Sequence, residues 1–343
     1  MWPSPSTDYT TGSLAVLPNI FTQRHLATCP LHEQPAVDHK WDPSTAAYLT
    51  TTAISDGAST SYPTIMSTNG AGQDPPEEWK PRDMEGEMRA LCAGLKSKVD
   101  KFLESEASDE LSRNVQRQVR LAKGIIDDAL TRYRPDELAL SYNGGKDCLV
   151  LLILILASLP AHFPPPPSTP PPPLSSCNTP SFPVLLQAIY IRPTSPFEEV
   201  DSFVARTSEE YHLDLVTSDK PMKPALQDYL QEMFAVKAVF VGTRRTDPHG
   251  KDLSHFQETD GDWPRFMRIH PVIDWHYREV WGFIRALDIP YCPLYDKGYT
   301  SLGGTDDTHP NPALKAGESE KTDGFKPAYE LTEDHEERLG RDF

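Results

Sequence analysis

At 343 residues the chain is long enough for one large domain or two small ones, and its net charge of −17 excludes a nucleic-acid backbone as main partner while leaving room for a local basic pocket around a nucleotide. Thirty-four prolines, and a first stretch of about eighty residues rich in Ser, Thr, Pro and Gly, exclude a core that runs through the whole chain. Its five cysteines (Cys29, Cys92, Cys148, Cys177 and Cys292) are odd in number and form no C-x-x-C pair, which excludes a disulfide framework or structural zinc and fits a reducing cytosolic setting.

Residues 1–80 show no sustained periodicity and are expected to form a disordered, solvated tail. Met1–Thr11 lacks the basic start and apolar core of a secretory signal. The folded domain is expected over 81–343. From Asp83 to about Arg134 apolar residues recur at helical spacing, Met84, Met88, Leu91 and Leu95 first and Leu130 last, until Pro135 ends the pattern. A strand is expected over 137–141, then a glycine turn, then a helix over 146–158. The apolar run Leu149–Leu159 is too short to cross a bilayer and reads as a buried helix, so no membrane association is expected.

Residues 160–183 form a proline-rich insert. Pro164–Pro167 and Pro170–Pro173 can neither extend a helix nor pair in a central strand, and they read as an extended, exposed loop. A strand over 184–191 follows, then a helix opened by Ser195 as cap, with Pro196, Glu198 and Glu199 in its first turn. Strands are expected over 213–218 and 238–242, with residues 226–234 in the helix between them. Asp274 is expected to open a further helix, with Val280, Trp281, Ile284 and Leu287 on its buried stripe. Strands alternating with helices imply an α/β fold: an open, mostly parallel sheet with helices on both faces, binding ligands outside the carboxyl ends of its strands.

Two such ends carry chemistry. Ser141-Tyr142-Asn143-Gly144-Gly145-Lys146-Asp147-Cys148 reads as a strand-to-helix glycine turn whose N–H groups and helix dipole favour a phosphate. Lys146 adds a mobile cation, and Asp147 a carboxylate able to hold a divalent metal. Gly242-Thr243-Arg244-Arg245-Thr246-Asp247 follows the 238–242 strand; Arg244 and Arg245 are expected in the pocket, where their planar forks suit phosphate, and Asp247 can accept from an N–H edge of a heterocycle. Trp263, Pro264, Arg265 and Phe266 form either a platform for a flat ring or core packing under a long loop. His249, His255, His270, His276 and His309 have no zinc-ligand spacing.

The turn N-G-G-K-D-C is neither a Walker loop nor a Rossmann fingerprint. It resembles the SGGxDS pyrophosphate loop of the adenine nucleotide α-hydrolase-like enzymes, with Asn143 and Cys148 in place of its two serines. Together with VGTRRTDPHG, DWPRFMRIHPVIDWHYREVW, the run Ile289–Gly304, Pro310–Leu314 and the terminal Glu337-Arg338-Leu339-Gly340-Arg341, it resembles the eukaryotic FAD synthase family, of the single-domain fungal type, within the PAPS reductase-like fold. The resemblance covers about residue 85 to the C-terminus apart from the insert. It departs at Phe197-Glu198-Glu199, where the family often has F-P-E, and the molybdopterin-binding-like domain of animal forms is not recognisable.

The resemblance implies transfer of AMP from ATP to the phosphate of FMN, giving FAD and pyrophosphate with Mg²⁺, as the last step of FAD biosynthesis. It implies catalytic roles for Asn143, Asp147, Asp247, Arg338 and Arg341. It assigns Ser141, Tyr142, Asn143, Gly144, Gly145, Lys146, Gly242 and Arg244 to ATP and pyrophosphate. Asp247, Trp263, Pro264, Arg265, Phe266, His270 and Arg341 fall to the flavin, and Asp147 to the loop or the metal. A cytoplasmic monomer that serves client flavoproteins is the expected setting. Of the rivals, a PAPS-type reductase needs a C-terminal nucleophilic cysteine, whereas the last one here is Cys292. A tRNA-thiolating enzyme needs paired cysteines and a basic surface. The remaining alternative is a proline-rich interaction scaffold on a degenerate nucleotide-binding fold.

Overall fold

The computed structural model describes residues 83–164, 181–316 and 324–342. The expected tail over 1–80, and residues 165–180 of the insert, lie outside the described residues.

The helical pattern from Asp83 divides into two helices, α1 (Met84–Glu104) and α2 (Glu110–Arg132). Each starts on an aspartate: Gly86 N–H donates to Asp83 Oδ1 at 2.9 Å and Ser112 N–H to Asp109 Oδ1 at 2.7 Å. After β1 (Leu138–Ser141) comes α3 (Lys146–His162), which outruns the expected 146–158 and takes in Pro160. Residues 148–159 of α3 are all buried, so packing on every side outweighs the one backbone bond that Pro160 removes.

The next elements are β2 (Leu186–Ile191), α4 (Glu198–Glu210), β3 (Leu213–Ser218), α5 (Met222–Glu232) and β4 (Ala238–Phe240). Ser195 does not cap α4; Phe197 occupies that position without a side-chain bond, and the Ser195 carbonyl instead accepts from Thr305 N–H at 2.7 Å. Two three-residue strands absent from the sequence expectation follow, β5 (Phe256–Glu258) and β6 (Met267–Ile269). Helix α6 spans Tyr277–Ala286 with Val280, Trp281 and Ile284 buried. Its N-cap is His276, whose N–H donates to Glu279 Oε2 at 2.8 Å, and not Asp274, which pairs with Arg245; Asp334, far along the chain, accepts from Tyr277 N–H at 2.6 Å through Oδ1.

The sheet order is β3-β2-β1-β4-β6-β5, parallel throughout except for the β5–β6 edge. The chain moves from β1 outward to β3, then returns to the other side of β1 with β4. The carboxyl ends of β1 and β4 therefore flank the point where strand order reverses, the place where open α/β sheets bind ligands.

Side chains alternate across the sheet. Leu138, Leu140, Ala188, Tyr190 and Phe240 join a large core with α1, α2, α3, α4 and α6. Ala139, Ile189, Ile191, Val216 and Val239 face the other way, onto Ala225, Leu226 and Tyr229 of α5. Helices thus lie on both faces, but unequally, and the thinly covered face leaves room at its carboxyl end. Among the described residues, no helix is long and apolar enough to cross a membrane.

Candidate active site

The glycine turn begins where β1 ends. Gly144 sits at φ +70°, and a Cβ there would come within 2.9 Å of the Val204 side chain and 3.1 Å of Phe203 on α4. Only glycine meets both conditions. The turn is then locked by its two departures from serine. Asn143 Oδ1 accepts from Gly145 N–H at 2.9 Å and from the Cys148 thiol at 2.9 Å, while Cys148 Sγ accepts from Asn143 N–H at 3.4 Å. Burial pushes the Cys148 thiol up to about 12, so it remains a proton donor within the loop. With Oδ1 committed, the Asn143 NH₂ is the donor left for a guest.

Beneath the turn lies a closed set of ion pairs. Lys146 is buried, and so is not the mobile cation expected from sequence. Its Nζ meets Glu337 Oε1 at 2.5 Å, Thr300 O at 3.1 Å and Asp147 Oδ2 at 3.2 Å, above the ring of Tyr277. Its backbone N–H donates to the Tyr295 hydroxyl at 2.8 Å. Arg244, fully buried, places Nη2 2.5 Å from Glu337 Oε2 and Nε 2.9 Å from Asp147 Oδ1. The angle of that second contact makes no hydrogen bond, so Asp147 Oδ1, Arg244 Nε and Arg244 Nη1 are buried with none.

Asp247 accepts from Arg244 N–H at 2.8 Å through Oδ2, and its Oδ1 lies 3.4 Å from Arg338 Nη2. Burial alone would raise the Asp147 carboxyl, but the charges of Arg244 and Lys146 outweigh it and hold the group below the usual carboxylate range. For Asp247 burial prevails, reinforced by Asp147 and Glu337, and its carboxyl is raised in spite of Arg244.

A cavity of about 310 Å³ opens between this turn and the thinly covered sheet face. The turn contributes Ser141, Asn143, Gly145, Lys146, Asp147 and Cys148; Gly242, Asp247 and Arg338 complete the polar end. The opposite wall is apolar, built from Ile189, Ile191, Val239, Val241, Leu226 and Phe266, with Trp263 36% exposed beside them. His270 also lines it. Its Nδ1 faces the Ser254 carbonyl at 2.9 Å and so carries the proton, which makes Nε2 the acceptor.

Burial pushes the His270 imidazole down to about 4 from 6.5. Because the folded value is depressed, the stability linked to neutral His270 is present above pH 6.5 and lost as the pH falls towards 4. A shift of this size corresponds to about 3 kcal/mol. In urea titrations at pH 7 and pH 4, the wild type should lose about 3 kcal/mol more than His270→Gln; equal losses would disprove a buried neutral imidazole.

Several residues expected in the site lie elsewhere. Tyr142 is in the core, its hydroxyl 2.8 Å from Thr207 Oγ1. Gly144 shapes the turn from behind. Pro264 and Arg265 are not in the cavity wall; Arg265 pairs with Glu258 at 3.0 Å. Arg245 turns outward to Asp274 and to the Lys251 and Leu253 carbonyls. Arg244 lies below the wall, and Arg341 packs against Gly303 and holds Asp307 Oδ2 at 2.8 Å.

Conversely, Arg268 and Glu337 belong to the wall and were missed. Glu337 sits among Asp334 and Glu336 in a run that reads as solvated; only its place beside two arginines signalled anything else. Among the described residues no group of three His, Cys, Asp or Glu is arranged to hold a metal. The unbonded Asp147 Oδ1 nevertheless fits a Mg²⁺ that arrives on phosphate oxygens, since such ions need one or two carboxylates besides the phosphates.

The family model described as the phosphoadenosine phosphosulfate reductase domain matches residues 137–229 and 218–310. The chain is 38% identical over 241 residues to a probable FAD synthase of Schizosaccharomyces pombe, spanning 70% of this chain and 84% of that one. It is 34% identical to a probable FAD synthase of Caenorhabditis elegans, of whose length it spans 43%. It also resembles the crystal structure of Candida glabrata FMN adenylyltransferase in complex with FMN and the ATP analogue AMPCPP, with TM-score 0.64, 29% identity, and coverage of 75% of this chain and 99% of that one. Against the same enzyme in complex with FAD and inorganic pyrophosphate the TM-score is 0.65, at the same identity and coverage.

Proposed function

This chain belongs to the FAD synthases of the phosphoadenosine phosphosulfate reductase domain family, and from that premise we propose that it transfers AMP from ATP to the phosphate of FMN, releasing FAD and pyrophosphate. One observation carries the reading: a phosphate-binding turn and a flat apolar slot share a single cavity at the reversal point of the sheet. The scaffold alternative has no such support, and its proline runs lie almost wholly outside the described residues.

A phosphate monoester is largely dianionic at neutral pH, with a second pKa of about 6, so the attacking FMN oxygen needs no base from the protein. That oxygen forms a bond to the α-phosphorus as the bond to the bridging oxygen breaks, and the electron pair leaves with pyrophosphate. Charge grows on the departing group, where the Asn143 NH₂, the N-terminus of α3 and Arg338 offer donors and positive potential. Asp147 would hold the Mg²⁺ that accompanies ATP, which neutralises phosphate charge when bound.

Trp263 and Phe266 form the flavin platform, and His270 Nε2 accepts from a ring N–H. Asp247 lies between the two ends. Arg338 is then the tail arginine that meets phosphate, while Arg341 secures the segment around it through Asp307. The same reading has a cytoplasmic monomer passing FAD to client flavoproteins, in keeping with the free thiols of Cys92, Cys148 and Cys292.

Purified protein with FMN and MgATP should yield FAD and pyrophosphate in equal amounts, resolved by chromatography, whereas riboflavin with MgATP should yield no FMN. Folded protein that makes no FAD would overturn the assignment.

A further inference from the structure

Four side chains under the glycine turn form a ring in which each charge touches two of opposite sign. Lys146 Nζ lies 3.2 Å from Asp147 Oδ2, Asp147 Oδ1 2.9 Å from Arg244 Nε, Arg244 Nη2 2.5 Å from Glu337 Oε2, and Glu337 Oε1 2.5 Å from Lys146 Nζ. The two carboxylates are not equivalent. Both line the cavity, but Asp147 has 21% of its side chain exposed and Glu337 only 7%. No other acidic side chain contacts both cations among the described ion pairs; Asp247 reaches Arg244 alone, at 3.8 Å.

Two buried cations directly under a phosphate turn would hold a polyanion strongly, and here Asp147 offsets one of the two charges and Glu337, supplied from 191 residues away, the other. We propose that Glu337 is a positioning residue that sets how tightly the site holds pyrophosphate: by completing, with Asp147, the neutralisation of Lys146 and Arg244 it leaves the grip to neutral donors and Arg338, loose enough for the product to leave. The inference rests on the adenylyl-transfer reading, in which pyrophosphate is the departing group. Glu337 touches no reacting atom; it acts through the two cations, and its effect follows the net charge of the ring.

The direction of that effect separates it from a merely structural role. With pyrophosphate and Mg²⁺ as the titrant, calorimetry on the full chain should show Glu337→Gln binding on the order of tenfold more tightly than wild type, because the ring gains one positive charge. Lys146→Met should bind on the order of tenfold more weakly. The double variant, whose ring is again neutral, should return close to wild type. In FAD formation Glu337→Gln should show lower kcat and lower KM for ATP, with pyrophosphate inhibition strengthened in parallel.

Weaker or unchanged pyrophosphate binding by Glu337→Gln would overturn the proposal, as expected if Glu337 only braces the fold. Should that variant fail to fold, the other two decide: a double variant that binds no better than Lys146→Met overturns it equally. Wild-type protein that binds pyrophosphate but makes no FAD would instead count against the adenylyl-transfer reading, so the two failures are distinct.

Discussion

Replacing Asp147 with alanine should lower kcat for FAD formation by about two to three orders of magnitude while the protein stays folded. Asp147 is the more exposed of the two ring carboxylates, and its Oδ1, paired with Arg244, makes no hydrogen bond, so its removal takes away a charge available to a cation on the phosphates. The fold survives because neither neighbouring cation is stranded: Lys146 retains Glu337, and Arg244 retains Glu337 and Asp247. Removing the sole partner of a buried charge costs about 3–5 kcal/mol; sharing the cations keeps the loss here below that. Steady-state kinetics beside circular dichroism make the check, and a folded Asp147→Ala that keeps a tenth of wild-type turnover would refute the assigned role.

Gly242→Ala should lower turnover by about a hundredfold through geometry rather than charge. An added Cβ would lie 2.9 Å from Cys148 N, 3.1 Å from the Asp147 carbonyl carbon and 3.2 Å from Cys148 Cα. All three are backbone atoms at the start of α3, so no side chain can swing aside to make room. Either the end of β4 or the glycine turn must move. Overpacking of this kind costs about 1–3 kcal/mol, and a displacement of about 1 Å at a reacting centre can cost about a hundredfold in rate. Thermal unfolding and turnover measured together test it: a variant with wild-type stability and wild-type turnover would show that the close approach of β4 to the turn is not needed.

The parallel sheet was legible because its strands are apolar runs divided by helical patterns; Leu213–Ser218 emerged with the expected bounds. Strands β5 and β6 were not, since three residues containing Gln257 and Arg268 carry no period to detect. The turn was legible from its adjacent glycines, but the interlock of Asn143 and Cys148 was not, because two departures from serine look independent until the sulfur and the amide meet.

Lys146 and Arg244 were misplaced for one reason. A cation beside a glycine turn reads as exposed unless its counter-ion is visible, and Glu337 stands 191 residues from the first and 93 from the second. Asp274 does not cap α6 either: His276 stands at the N-cap, and Asp334, 57 positions beyond Tyr277, takes the first helical N–H.

That separation also bears on the order of assembly. At about 5–20 residues per second, a ribosome that has just added Lys146 needs about 10–40 s more to add Glu337. Throughout that interval Lys146 has Asp147 but not Glu337, so the charge ring beneath the nucleotide turn closes only when Glu337 arrives. A nascent chain can therefore acquire its sheet well before it acquires its chemistry.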